Sequence, residues 1–360
     1  MARAYYNEQN KILAQKIRDI CKDMPDWFVD FIRSTGDTLE PRTRFNYCID
    51  CRIFLNYLVT EHKSFYGLRP YQITAEQIGT ITHRDLEIYL EYLSYYVTIN
   101  KNSDSDDDGT ENEYENGEHG KARKIASLRS IFKYLYKSEL ISSNPAELLT
   151  TPKIHEKSII RLTPEEVHNL FIIIENGDGL TDRQRSYQKK TIKRDLAIVV
   201  LFLTSGIRVS ELVGLNVGDI DFDTNSFKVI RKGGNEAILY FGDETAEAIN
   251  DYLTERKNTG TYATDTPLFL SMQNKRITVR SVENLIKKYA KLAVPLKKIT
   301  PHKLRSTYGT MLYQNTGDIY LVADVLGHKD VNTTRRHYAD QSDDNRRMAA
   351  RAVRIRETEE

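Results

Sequence analysis

The chain has 360 residues, of which 40% are hydrophobic and 29% charged, and its formal net charge is +1. This composition excludes a chain that is disordered throughout, and the length is sufficient for two domains with separate hydrophobic cores. The longest apolar run, 196–203, is far shorter than the roughly 20 residues of a membrane span. The first residues, MARAYYNEQNK, lack the apolar core of a signal peptide, so we expect a cytoplasmic protein without a membrane partner.

Apolar residues recur at helical spacing in the first half of the chain and predict helices at 8–22, 25–34, 43–60, 82–97 and 121–139. Between the last two, the stretch SDSDDDGTENEYENGEHG (103–120) holds eight acidic residues and no Lys or Arg. Such a segment cannot bury a core, so we expect a flexible acidic loop. Leaving out its eight charges raises the formal charge of the remainder from +1 to +9. The part that folds is therefore expected to be basic.

Three cysteines, Cys21, Cys48 and Cys51, are too few for a disulfide framework. Cys48 and Cys51 form a C-x-x-C pattern within a predicted helix, without a second pair of ligands. We expect buried thiols there, not a metal or redox site.

The second half of the chain begins after a segment with two prolines and no helical period, 142–160, which we interpret as a linker. A Thr cap and a proline in LTPEEV then predict the start of a helix. Further elements are a strand pair within 226–241 around a Gly-Gly-Asn turn, and helices at 164–175, 190–204, 208–215, 245–256, 278–293, 301–315, 318–326 and 341–357.

The predicted fold is therefore mainly α with a small β-sheet. An extra helical segment (1–36) precedes an all-helical domain (37–141), and the linker leads to an α+β domain (161–340). A C-terminal helix is predicted within 341–360.

Candidate chemistry is concentrated in the second domain. In TSGIRVSELVGL, Gly206 permits a sharp turn and Arg208 then starts a helix, where free backbone N–H groups also attract anions. Glu211 shares the helical face of Arg208, although such a pair taken alone is usually a surface ion pair.

Three further patterns follow along the chain. Lys232 lies at the tip of the predicted hairpin, and His302 and Arg305 are one helical turn apart in TPHKLRSTYGT. The last pattern, LGHKDVNTTRRHYAD, contains His328 and Tyr338. The sequence has neither metal-ligand spacing nor a phosphate-binding glycine loop. Two arginines, a lysine, two histidines and a tyrosine suit a metal-free attack of tyrosine on phosphorus, in which the guanidiniums stabilise the negative charge.

In this order, the four boxes TSGIRVSELVGL, RKGGNEA, HKLRSTYGTML and LGHKDVNTTRRHYA resemble those of the tyrosine recombinases of the phage-integrase family, including Xer-type and mobile-element enzymes. The likeness extends from about residue 40 to 345, since ARKIASLRSIFKYLY and NPAELLTTPK resemble the end of the family's core-binding domain and its linker.

The resemblance implies a role for each matching residue. Tyr338 would be the nucleophile, Arg208 and Arg305 would hold the scissile phosphate, and Lys232 would be the general acid. His302 would exchange the tyrosine proton, His328 would donate to the phosphate, and Glu211 would orient the histidine.

The spacing bears on two assignments. Tyr338 lies ten residues after His328, whereas many members of the family have nine; the residue at nine is His337, which cannot replace a tyrosyl nucleophile, so Tyr338 remains the predicted nucleophile. Hairpin register is easily misjudged, so Arg231 and Lys228 are alternatives to Lys232. After Arg305 the chain reads Ser-Thr-Tyr in place of the frequent His-Thr-Phe.

The family resemblance implies a site-specific recombinase that acts on double-stranded DNA through a 3′-phosphotyrosyl intermediate and a Holliday junction, without cofactor or metal. It also implies a homo-tetramer on DNA, with the C-terminal helix exchanged between protomers and the enzyme at the nucleoid. Two alternatives are a nicking-closing enzyme of the type IB topoisomerase kind and an inactive DNA-binding relative. The need for an accessory DNA-bending or directionality protein is left open.

Basic residues of the first domain are candidates for DNA contact. Two lie at a predicted helix start, and the others lie along the helix before the linker, where Arg129, Lys133 and Lys137 repeat every four residues and form a basic stripe. They are Arg42, Arg44, Lys121, Arg123, Lys124, Arg129 and Lys133.

Overall fold

The computed structural model describes residues 2–100, 110–154, 160–231, 233–257, 263, 265–328 and 330–338. The chain divides into two compact units, one formed by Asn7–Lys157 and the other by Ser158–Glu360 together with Met1–Tyr6. Within the described ranges, no helix is both long and apolar enough to cross a membrane. The predicted C-terminal helix lies outside these ranges.

The first unit, which we call the helical unit, consists mostly of helices. Its elements are α1 (Ala2–Cys21, whose first residues belong to the other unit), α2 (Asp26–Ser34), α3 (Pro41–Glu61), a 3-10 turn (Pro70–Gln72), α4 (Ala75–Ile78), α5 (His83–Tyr92), β1 (Tyr95–Asn100), β2 (Thr110–Glu115) and α6 (Glu118–Lys137).

The helix starts in this unit follow from local sequence. Thr74 and Thr82 cap α4 and α5, each accepting a hydrogen bond from a backbone N–H of the first turn. Helices α3 and α6 pack together and bury Phe54 and Phe132. Cys48 and Cys51 are fully buried free thiols in this core, as expected.

The description of 103–120 as a loop was wrong for its second half. Strand β2 pairs antiparallel with β1, and Tyr96 lies opposite Tyr114. The ring of Tyr96 stacks on both Tyr92 (centroids 5.2 Å apart) and Tyr114 (5.3 Å). Cross-strand aromatic pairs of this kind stabilise a hairpin, but helical periodicity does not reveal them. The first domain is consequently not all-helical, and the helix predicted at 82–97 ends at Tyr92. Residues 101–109 lie outside the described ranges.

The predicted linker also packs in part. Ala146 and Leu149 are buried against the core of the helical unit. The packed part of this unit therefore continues past residue 141, at least to Leu149.

The second unit, which we call the catalytic unit, combines helices with a small sheet. Its elements are α7 (Pro164–Asn176), α8 (Asp182–Gln188), α9 (Ile192–Ser205), α10 (Val209–Gly214), a 3-10 turn (Val217–Asp219), β3 (Ile220–Asp221), β4 (Ser226–Ile230), β5 (Glu236–Tyr240), α11 (Asp243–Lys257), α12 (Val279–Ala293), α13 (Pro301–Thr316), α14 (Ile319–Leu326) and α15 (Val331–Tyr338). The sequence patterns missed α8, β3 and α15.

Helix α9 is the centre of this unit. Its residues from Ala197 to Leu203 are all buried, because α7, α11 and α13 pack around it. The apolar run seen in the sequence is therefore a buried core helix. Strand β4 lies between β3 and β5 in an antiparallel sheet. The mainly α fold with a small sheet is confirmed. Of the predicted site residues, Arg208 follows the end of α9, Arg305 lies near the start of α13, His328 follows α14, and Tyr338 ends α15.

Candidate active site

The turn after α9 places the first arginine. Gly206 ends α9 in the left-handed region, with φ of 61°, and a Cβ there would lie 2.4 Å from a ring carbon of Tyr308. Only glycine fits this turn, on grounds of both backbone conformation and space. Arg208 follows at the N-cap of α10.

Glu211 holds Arg208 in place. Its carboxylate accepts the backbone N–H of Arg208 at 3.0 Å and the Arg208 guanidinium at 2.8 Å. Glu211 is only 4% exposed, so the pair is not the surface ion pair that spacing alone suggests. This contact fixes the direction of the guanidinium before any substrate arrives.

The second arginine converges on the same place from α13. Arg305 is 5% exposed, and its guanidinium donates to the carbonyl oxygens of Gly206 and Leu326. Arg208 donates to the carbonyl oxygens of Leu326 at 3.2 Å and Gly327 at 3.1 Å. The two guanidiniums therefore share one acceptor, Leu326, at the electronegative C-terminal end of α14.

The charge of Arg305 is costly in this position. Burial, together with the positive charge of Arg208, lowers the pKa of the Arg305 guanidinium to about 10, and the group remains charged at neutral pH. Two neighbouring cations, one of them buried, gain from a bound anion, because an anion relieves their mutual repulsion.

His328 lies beside this pair. Its Nε2 is 3.5 Å from Nη2 of Arg305, and its Nδ1 is 2.8 Å from the hydroxyl of Thr334. Its backbone N–H caps α14 by donating a hydrogen bond to the carbonyl oxygen of Ala323 at 2.9 Å. His302 is exposed on the first turn of α13, one helical turn before Arg305.

Tyr338 comes to the same site from α15. It is 5% exposed and packs with Val322 and Leu326. A Cβ at Gly309 would lie 2.9 Å from the phenol oxygen, so the missing side chain makes room for Tyr338. Burial raises the pKa of the phenol, while Arg305 and a hydrogen bond with Ser306 act in the opposite direction.

The hairpin contributes Arg231, which the sequence named as an alternative to Lys232. The guanidinium of Arg231 donates to the carbonyl oxygens of Asp324 at 3.3 Å and Val325 at 2.8 Å, and it covers the Cα of Gly327. Lys232 itself lies outside the described residues. The other alternative, Lys228, forms an ion pair with Glu236 at 2.7 Å.

The start of the chain supports α10 within the catalytic unit. The Tyr6 hydroxyl donates to the carbonyl oxygen of Ser210 at 3.2 Å. The guanidinium of Arg276 lies 5.0 Å from the ring centre of Tyr5. It also donates a hydrogen bond to the carbonyl oxygen of Val213. No local signal in the sequence indicates these contacts, since the tyrosines stand in a polar stretch.

The DNA-contact candidates of the helical unit differ in their surroundings. Arg42 and Lys133 are exposed. Four others bond to the protein: Arg44 to the Ile32 carbonyl, Lys121 to Ser94, Arg123 to Asp50 and Arg129 to the Leu149 carbonyl.

Lys124 stands apart from the other candidates. It is 4% exposed, and its Nζ donates to Asn116 at 2.9 Å. A buried, bonded ammonium cannot reach a phosphate, so Lys124 does not belong to a DNA surface in this structure.

Comparison with known proteins agrees with the geometry of the catalytic unit. The model of the phage integrase family matches residues 161–345. A tyrosine recombinase XerC from Caldanaerobacter subterraneus subsp. tengcongensis is 35% identical over 308 residues, covering 84% of this chain and 79% of that protein. The chain belongs to the phage integrase family and is a tyrosine recombinase.

Further relatives extend the comparison. A tyrosine recombinase XerC from Syntrophus aciditrophicus is 30% identical over 321 residues, covering 87% of this chain and 91% of the relative. In fold, the chain is similar to XerH, a site-specific recombinase solved bound to a palindromic difH substrate. The TM-score is 0.62 at 18% identity, over 87% of this chain and 79% of XerH.

Proposed function

We propose that this tyrosine recombinase exchanges strands between two specific sites in double-stranded DNA, with Tyr338 as the nucleophile. The observation that carries the proposal is the convergence of Arg208 and Arg305 on one acceptor, Leu326. His328 lies 3.5 Å from Arg305, and Tyr338 is buried against the helix that bears Arg305.

The scissile phosphate would replace these backbone carbonyl oxygens as the acceptor of guanidinium N–H groups. Its non-bridging oxygens accept from the guanidiniums of Arg208 and Arg305 and from His328. These charge-assisted hydrogen bonds strengthen as negative charge builds up on the pentacoordinate phosphorus. Because Glu211 already holds Arg208, little reorganisation is needed during the reaction.

Tyr338 attacks phosphorus and becomes linked to the 3′ end, while the 5′-oxygen leaves. Burial raises the pKa of the phenol, so its proton has to be accepted as the oxygen attacks. We assign this role to His302 and the protonation of the leaving 5′-oxygen to Lys232. The phosphotyrosyl bond replaces the phosphodiester bond, so religation to a new 5′-hydroxyl needs no cofactor.

DNA and three further protomers complete the proposed complex. We assign phosphate contacts in the helical unit to Arg42 and Lys133, which are exposed, and to Arg44, Lys121, Arg123 and Arg129 after they exchange their present partners. Four protomers on two sites would allow paired cleavages and a Holliday junction. Residues 341–360 are the segment that we propose for exchange between protomers.

The experiment first identifies the DNA sequence that the protein cleaves and then tests strand exchange between two copies of it. Sequencing DNA fragments trapped covalently on the wild-type protein identifies the site, and a plasmid with two copies serves as the substrate. We expect four-way junctions and exchanged products. If only relaxed circles form, the enzyme is of the nicking-closing type. Absence of both adducts and products would indicate an inactive DNA-binding relative.

A further inference from the structure

We propose that Arg231 is a positioning residue for catalysis, which holds the end of α14 while Arg208 and Arg305 bind the phosphate and so keeps His328 at the site. The inference rests on the proposed function, in which the two other arginines exchange backbone carbonyl groups for the phosphate and His328 takes part in binding it. It assigns a role to an arginine that lies outside the proposed set of phosphate ligands.

The end of α14 presents several backbone carbonyl groups close together. The last carbonyl groups of a helix have no N–H partner in a following turn of the same helix. Here a glycine turn closes the helix. The backbone N–H of Gly327 donates to the carbonyl oxygen of Asp324 at 2.8 Å, and that of His328 donates to the carbonyl oxygen of Ala323 at 2.9 Å. The position of His328 therefore depends on how well this helix end is held.

Arginine side chains from three elements donate to this helix end. Arg208 and Arg305 donate to the carbonyl groups of the last residue of α14 and of the glycine that follows it. Arg231, which directly follows β4, donates instead to Val325 at 2.8 Å and to Asp324 at 3.3 Å. Because its acceptors differ from those of the other two arginines, its contacts can persist when those two turn to the phosphate.

The hairpin holds Arg231 from its own side. The backbone N–H of Arg231 donates to the carbonyl oxygen of Asn235 at 2.8 Å, and its carbonyl oxygen accepts from the N–H of Gly234 at 3.1 Å. The guanidinium lies over Gly327, where an added Cβ would overlap with it. A planar guanidinium carries its donors in a fixed arrangement and can bridge two carbonyl groups, whereas an ammonium is a single point of charge. A fixed hairpin residue thus bridges two acceptors of the helix end.

These contacts matter most during the reaction. When the phosphate becomes the acceptor for Arg208 and Arg305, the end of α14 loses the contacts of two arginines at the step that needs His328. Arg231 retains the third set of contacts. Without it, the turn that leads into His328 is less firmly held, and small displacements of groups around a reacting centre slow the chemical step.

Two other roles of Arg231 make different predictions. If the guanidinium bound a DNA phosphate, its removal would reduce the slope of log affinity against log salt concentration by about one. If the side chain only filled the space over Gly327, methionine would replace it, since methionine has a long side chain without donors. A positioning residue leaves the salt dependence unchanged, and Arg231→Met is then as slow as Arg231→Ala.

The first experiment compares Arg231→Ala, Arg231→Met and Arg231→Lys with Arg256→Ala. Arg256 is a matched control, because its guanidinium also donates to two backbone carbonyl groups of the catalytic unit, those of Pro267 and Leu268. Adduct formation is followed in single turnovers on a nicked suicide substrate with saturating DNA, and thermal stability and the salt dependence of DNA affinity are measured in parallel.

We expect Arg231→Ala and Arg231→Met to slow adduct formation about tenfold, with DNA affinity within about threefold of the wild type. Arg231→Lys should recover part of the rate, because an ammonium reaches one carbonyl group but does not bridge two. Arg256→Ala should stay near the wild-type rate. An Arg231→Met enzyme as fast as the wild type, or a salt slope reduced by about one in Arg231→Ala, would overturn the proposal.

A double variant shows whether Arg231 acts through His328. In the His328→Ala background, Arg231→Ala should slow adduct formation no further, since the two residues act as one unit. Multiplicative losses would contradict the proposal. Failure of the proposed function would show differently, as absent adducts in the wild type or as a His328→Ala variant with the wild-type rate.

Hydrogen exchange tests the helix end directly. The backbone N–H groups of Gly327 and His328 close α14, and their exchange is measured in the free protein and on uncleaved DNA, with Tyr338→Phe as the common background. We expect Arg231→Ala to increase their exchange more on DNA than in the free protein, where the other two arginines still hold the helix end. An increase that is equal or smaller on DNA would refute the assigned role.

Discussion

Substitution of Gly206 by alanine tests whether the turn after α9 sets the arginine site. The residue has φ of 61°, and its Cβ would lie 2.4 Å from Tyr308 and 2.8 Å from Leu326. Placing alanine in the left-handed region costs about 1–2 kcal/mol, and forcing atoms into a packed core costs about 1–3 kcal/mol more. Together these effects should lower the free energy of unfolding by about 2–5 kcal/mol.

Gly317 offers a matched control in the same unit. It also ends a helix in the left-handed region, with φ of 68°, but no atom lies within 4 Å of its would-be Cβ. Gly317→Ala should therefore show only the backbone cost of about 1–2 kcal/mol. The difference between the two variants isolates the crowding by Tyr308 and Leu326.

The assays are urea denaturation and covalent adduct formation on a nicked substrate. The Gly206 carbonyl accepts from Arg305, so a shifted turn also displaces the guanidinium that we propose binds the phosphate. We expect adduct formation to fall at least about tenfold in Gly206→Ala and to stay near the wild-type rate in Gly317→Ala. Equal losses of stability in the two variants, or an unimpaired Gly206→Ala enzyme, would refute this reasoning.

Two further predictions concern buried carboxylates. Glu211→Ala should lower the free energy of unfolding by about 1–3 kcal/mol, because the backbone N–H of Arg208 loses its acceptor; Glu211→Gln, which keeps an acceptor, should lose less in the same denaturation assay, and equal losses would contradict the assigned hydrogen bonds. Burial raises the pKa of Asp50, so the stability linked to its proton is present below the unfolded pKa of about 4 and is lost as pH rises through the folded pKa. The stability of the wild type relative to Asp50→Asn should accordingly fall with rising pH, and a constant or rising difference would contradict this sign.

Local signals in the sequence predict much of the fold. Helices with a cap and a clear apolar period, such as α7 with Thr163 and Pro164, begin where the residues indicate. The β1–β2 hairpin was missed because its stability comes from Tyr96 facing Tyr114 across the two strands. That contact is not visible in either strand alone.

In the candidate site, too, the sequence indicates some residues, and others become visible only through contacts in the folded structure. The boxes identify Arg208, Arg305, His328 and Tyr338, and the structure brings these four together. The contacts around them came only from the structure: Gly309 makes room for Tyr338, Thr334 bonds to His328, and Arg231, named from the sequence only as an alternative to Lys232, bonds to the end of α14. Each acts through a tertiary contact, and its residue type alone carries no functional signal.

The central claim is that Tyr338 forms the covalent bond to DNA. The direct measurement is to trap the wild-type protein on a nicked suicide substrate, digest the adduct, and locate the nucleotide-bearing peptide by mass spectrometry. We expect the modification on Tyr338, and no adduct from Tyr338→Phe although that variant binds DNA within a few-fold of the wild type. A modification on Tyr313 or Tyr320, or adducts that persist in Tyr338→Phe, would contradict the account.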